Sequence, residues 1–138
     1  MTDKQTRAEA LREGLPHFTG TQKLFRHAFF RAAVYTEGVQ FLAEKGECYW
    51  LLDDIVSHLA SPAFNRAAAK DDRIRDMHFW KLKVAKDESA KLTARADDGV
   101  KPFVSQDIPY TDFPLDEQDV WAQRNEFGSF TLMLPGEY

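Results

Sequence analysis

The chain carries one cysteine, Cys48, in 138 residues. That excludes an intrachain disulfide and any zinc site built on several thiolates, and it suits a reducing compartment. Long apolar runs are missing too, since none approaches the ~20 residues that a membrane-spanning helix needs. The opening stretch, Met1 to Gly14, is charged and has no apolar segment of the kind a signal peptide carries. A soluble, cytoplasmic protein without membrane association is the expectation. Basic charge is in deficit as well: 18 Lys and Arg against 22 Asp and Glu leave a net charge of −4. The basic residues are scattered, with short clusters such as Lys81/Lys83, so the electrostatic footprint of a general nucleic-acid binder is absent. An acidic balance suits a partner that is itself basic.

Catalytic and cofactor signatures are equally scarce. No G-x-x-x-x-G-K-[ST] phosphate loop, G-x-S-x-G elbow or H-E-x-x-H pair occurs. His17, His27, His58 and His78 show no ligand spacing within one element, so neither a metal nor another cofactor is expected.

What is present is aromatic bulk: eleven Phe, four Tyr and three Trp within a composition that is 43% apolar and 29% charged. A chain of this length buries about 68% of its unfolded surface and folds without a staple. The expectation is one domain over residues 1–138. Residues 1–14 read as a helix capped by Thr2 or Asp3 and ended at Gly14-Leu15-Pro16. Residues 17–30 fit a strand or a short helix equally well. A helical pair follows over 36–60: Thr36 caps the first helix, Gly46 stops it, and Ser61-Pro62 ends the second. Residues 63–76 read as one more helical turn or a mobile link. The period then changes to two. Residues 77–108 make a three-stranded meander, with a turn at Asp97-Asp98-Gly99 where glycine supplies positive φ. A helix is expected over 115–124, from Asp116 and Glu117 in a first turn and Val120 and Trp121 on an inner face, and a closing strand over 129–134. The fold class is therefore α+β, an antiparallel sheet of four to five strands with helices packed on one face.

Two groups of residues carry candidate chemistry. Trp50, Asp54 and His58 lie four apart and share one stripe of a helix beside the apolar face made by Leu51, Leu52, Ile55, Val56 and Leu59. Asp54 and His58 are the weak catalytic candidates, a carboxylate orienting an imidazole that acts as general base. The blander reading is a local helix pair facing water, with His58 against the negative helix C-terminus. The loop over 108–117 supplies Tyr110, Asp112 and Phe113 between two prolines, a stiff aromatic segment suited to recognition, or one whose rings fold back on the core. Thr19, Gly20, Thr21, Lys23, Arg26 and His27 form a weaker anion-binding edge without the glycines of a phosphate nest.

Four short motifs, Phe18-Thr19-Gly20-Thr21, Tyr35-Thr36-Glu37-Gly38-Val39, Tyr49-Trp50-Leu51-Leu52-Asp53 and Tyr110-Thr111-Asp112-Phe113-Pro114, occur in this order. In this the chain resembles a bacterial family of unknown function, small proteins common on plasmids, phages and integrated elements. Glu37 stands where that pattern has Asp. The resemblance implies one compact domain in a mobile-element setting and carries over no catalytic residue.

The functional expectation is a non-enzymatic, protein-binding module from a mobile genetic element, an inhibitor or modulator of a host nucleic-acid-handling or defence complex in the manner of an anti-CRISPR protein. The alternatives are a small enzyme or ligand binder using the Asp54/His58 pair, and a nucleic-acid contact through Lys23, Arg26, Lys81 and Lys83. A homodimer is compatible with any of these.

Overall fold

The structure, a computed structural model, describes residues 2–20, 23–27, 31 and 33–138. Helix α1 (Asp3–Gly14) opens on a capping box, in which the Thr2 hydroxyl accepts from Gln5 N and the Gln5 side chain accepts from Thr2 N. A short 3-10 turn (Leu15–His17) leads to strand β1 (Leu24–Arg26), which settles the ambiguity of residues 17–30 in favour of a strand for that part. Of that reading, Thr21, Gln22 and residues 28–30 lie outside the described residues. Strand β2 (Ala33–Thr36) runs directly into α2 (Glu37–Lys45), whose first turn is capped by Thr36. Glu47 then takes the left-handed conformation (φ 51°) before α3 (Tyr49–Leu59) begins.

Residues 63–76 are a pair of helices rather than a link. Ser61 caps α4 (Pro62–Lys70), accepting from Phe64 N at 3.2 Å, so the Ser61-Pro62 step that stops α3 also starts the next helix. The four-residue α5 (Arg73–Asp76) then feeds strand β3.

β3 (Met77–Val84), β4 (Ala90–Arg95) and β5 (Val104–Ile108) form the antiparallel meander, with Gly99 at φ +75° in the turn between β4 and β5. The segment expected as a helix over 115–124 is instead strand β6 (Glu117–Arg124), paired antiparallel with β3 on one side and with β7 (Phe130–Met133) on the other. Its period is two: Val120 and Ala122 point into the core while Asp119 and Trp121 point away. The acids at its start only imitate a helix N-terminus, and a place between two strands outweighs weak local propensity.

The sheet therefore has seven strands in the order β1-β2-β7-β6-β3-β4-β5, not four or five. It is also mixed, because β2 pairs parallel with β7 while every other neighbour is antiparallel. The helices bury one face. Trp80, Leu82, Leu92, Ala94, Val120 and Leu132 from the strands meet Leu42, Leu52, Ile55, Val56 and Phe64 from the helices in one apolar cluster. On the other face of β3, β4 and β6, Phe79, Lys81, Thr93, Arg95 and Trp121 are half-buried and Lys83 and Lys91 are exposed. No helix among the described residues is long and apolar enough to cross a membrane.

Candidate functional site

The helix stripe does not stand in open water as the blander reading had it. His58 Nε2 lies 2.6 Å from the Gln106 side-chain oxygen on β5, and its ring stacks at a tilt on Trp80, centroids 5.7 Å apart. An amide oxygen only accepts, so His58 holds its proton on Nε2 and spends it on Gln106. Asp54, half-buried, has its carboxyl pushed up by burial, partly offset by His58 and by a hydrogen bond from Gln106. Gln106 thus meets both groups and ties α3 to β5. Trp50 packs partly buried against the core.

The aromatic loop likewise turns inward. Phe113 is 1% exposed and belongs to the core. Thr111 N donates to Glu88 O at 2.8 Å, and the Thr111 hydroxyl accepts from Phe113 N. Asp112 is held by Arg7, whose Nη2 donates to its carboxylate at 3.1 Å and to its backbone oxygen at 3.3 Å. The buried Arg7 also donates to Gly46 O and lies 3.0 Å from Glu47 and 3.1 Å from Asp3, so one guanidinium joins α1, the α2–α3 turn and the loop. Of the three loop candidates Tyr110, 65% exposed, and Asp112, whose side chain is 55% exposed, face solvent, while Phe113 does not. Among the described hydrogen bonds and ion pairs, none joins the stripe to the loop.

The remaining titratable candidates are dispersed. His17 is exposed in the 3-10 turn. His27 is buried and meets Asp53 of α3 at 2.7 Å. The Lys23 backbone N–H donates to the Glu37 carboxylate at 2.9 Å. His78 is buried among Phe64, Phe103 and Phe130, with Nδ1 accepting from Trp80 Nε1 at 2.8 Å and Nε2 without a partner among the described residues. Burial pushes its pKa down to about 3, so it is a neutral ring of the core. Burial pushes the Cys48 thiol up to about 12, which removes thiolate chemistry near neutral pH. Among the described residues, no three metal-ligating side chains gather.

A groove of about 730 Å³ lies on the uncovered sheet face. Strand register builds it in rows. Trp121, Phe79 and Arg95 stand side by side on β6, β3 and β4; Asp119, Lys81 and Thr93 form the next row; Glu117, Lys83 and Lys91 the third. Phe79 and Trp121 meet edge to face, centroids 5.1 Å apart and planes at 90°, and Tyr138 meets the far side of Trp121 at 5.7 Å. Lys81 pairs with Asp119 and Lys91 with Asp107, each at 3.5 Å. Arg95 donates to the Thr93 hydroxyl at 3.1 Å, and among the described residues neither Arg95 nor Lys83 has an acidic partner. Lys83 and Lys91 face each other directly across the ladder, an arrangement that costs stability in the free protein.

Sequence reasoning had noticed Lys81 and Lys83 but not the ring pair beside them. The alternation of Phe79, Lys81 and Lys83 was readable; Trp121 was hidden by the helical reading of its segment.

The comparisons agree with this picture of an unassigned domain. Residues 9–138 match a family model described as a family of unknown function, DUF6876. The chain belongs to that family. No curated protein and no solved structure matches it. Three of the four motifs that carried the family resemblance, those at 35–39, 49–53 and 110–114, are joints of the fold. Thr36 caps α2, and a Cβ on Gly38 would lie 2.6 Å from the Glu137 carboxylate, which accepts from Gly38 N and from Thr36 Oγ1. Leu51 and Leu52 fill the core, and Phe113 anchors the loop.

Proposed function

We propose that the protein is a non-catalytic binding module whose working surface is the uncovered face of its sheet. The observation that carries this reading is the groove itself: two half-buried rings beside four cations, two of which lack an acidic partner among the described residues, on a face no described helix covers. Aromatic and arginine side chains supply most of the energy in binding surfaces, and a charged rim around them orients the partner. The expectation of a basic partner rested on net charge, which sums every face at once; the groove favours an anionic one. A host nucleic-acid-handling or defence complex, the target class implied by a mobile-element setting, offers such a surface in its nucleic acid.

The test compares what three immobilised proteins retain from host extract: the wild type, a Trp121→Leu/Lys83→Glu face variant, and a His58→Gln/Asp54→Asn clamp variant. The account expects the clamp variant to retain what the wild type retains and the face variant to lose it. Loss confined to the clamp variant would return the function to the Asp54/His58 stripe.

A further inference from the structure

Resting on that reading, we infer that the groove binds single-stranded nucleic acid, with bases against Phe79 and Trp121 and phosphates along Lys83, Lys91 and Arg95. Three observations lead there. Flat rings and an arginine share one row, and this is the combination on which unpaired bases stack, whatever their sequence. The cationic rows lie along the strands from the rings. Two residues of a strand advance about 7 Å, so the Lys83–Lys91 row stands about 13 Å from Phe79, and the site follows a chain rather than enclosing a single group. Lys83 and Lys91 also oppose each other without a covering acid between them, which a phosphate in the groove would relieve.

The alternatives fit less well. A free nucleotide is held in a pocket that buries 70–90% of it, and this groove lies open on a sheet face. A duplex hides its base faces, leaving the rings without a partner. An acidic peptide would meet the lysines but would leave the ring row to unspecific contact. Asp97, Asp98 and Asp119 line the groove with the four cations and Glu117 stands in the Lys83 row, and all of them weaken attraction to phosphate, so the site is tuned to modest affinity.

The test uses the full chain and a fluorescein-labelled mixed-sequence 12-nucleotide single strand, read by anisotropy between 50 and 200 mM salt. Three phosphate contacts predict a slope of log K against log salt of about −2. Trp121→Leu and Phe79→Leu are each expected to weaken binding at least about fivefold with the slope unchanged, the signature of lost stacking. Lys83→Gln with Lys91→Gln should flatten the slope to below about −1 in magnitude. Glu117→Gln with Asp119→Asn should tighten binding, an outcome no merely structural role produces. Circular dichroism and thermal melts establish that each variant is folded. No binding by the wild type, equal affinity for a duplex of the same length, or equally effective competition by a mononucleoside triphosphate each overturns the assignment. Displacement by a poly-glutamate peptide that depends on Trp121 and Lys83 overturns it while leaving the open-face reading intact. Binding indifferent to every face variant overturns both.

Discussion

Two parts of this molecule spend their polar groups in opposite ways. In the layer of helices and the loop that packs with it, the polar groups that join the elements are engaged: Arg7 is shared among Asp3, Glu47 and Asp112, Glu137 closes the start of α2, and His58 is bound to Gln106. On the open sheet face, charge is left over. Lys83 opposes Lys91, Arg95 donates to a hydroxyl and has no acidic partner among the described residues, and two large rings stay half-exposed beside them. A polar group satisfied inside the fold has little left to offer a ligand, whereas an exposed cation without an acidic partner in the fold remains free to meet an anion. Substitutions in the two parts should therefore separate stability from binding.

The largest effect is expected at Phe113. Truncation to Ala removes a fully buried ring and should cost about 3–5 kcal/mol in urea unfolding. Next comes acid. Folded His78 is held neutral with a pKa of about 3 against an ordinary 6.5, so only the unfolded chain takes up the proton in that window. Its contribution is full above pH 6.5 and is lost as pH falls, at about 1.4 kcal/mol per pH unit. The difference in unfolding free energy between wild type and His78→Leu should shift by about 2–3 kcal/mol between pH 7 and pH 4.5, to the disadvantage of the wild type at the lower pH. Arg7→Gln should cost about 2 kcal/mol, because charge-assisted bonds to the α2–α3 turn and the loop are lost together. His58→Gln is expected to cost about 1 kcal/mol and leave binding untouched; a collapse of function there with stability intact would reverse the assignment of the two regions. The smallest change in stability belongs to Lys83→Gln, within about 0.5 kcal/mol and of stabilising sign, since it relieves the pair with Lys91.

Local signals were legible in the sequence. The Thr2 and Thr36 caps, the Gly46 stop, the apolar stripe of α3 and the glycine turn at Gly99 depend on neighbours a few residues away. Long-range pairings were not legible. Gln106, which meets both Asp54 and His58, lies 48 residues from the histidine, and Arg7 reaches Asp112 across 105 residues. The strand nature of β6 depends on β3 and β7 at its sides, and the parallel pairing of β2 with β7 joins segments nearly a hundred residues apart. Half the candidate site could be read from the alternation in β3 and β4. Trp121 could not, because acids at the start of its strand carry the same letters as a helix first turn.

At 15.9 kDa the protein suits residue-resolved NMR, and amide and indole shift mapping during addition of the single-stranded oligonucleotide tests the central claim most directly. The account predicts shifts at Phe79, Lys81, Lys83, Thr93 and the Trp121 indole N–H, with α3 and the Tyr110 loop unmoved. Shifts confined to Trp50, Asp54, His58 and Tyr110, with the sheet face silent, would contradict it.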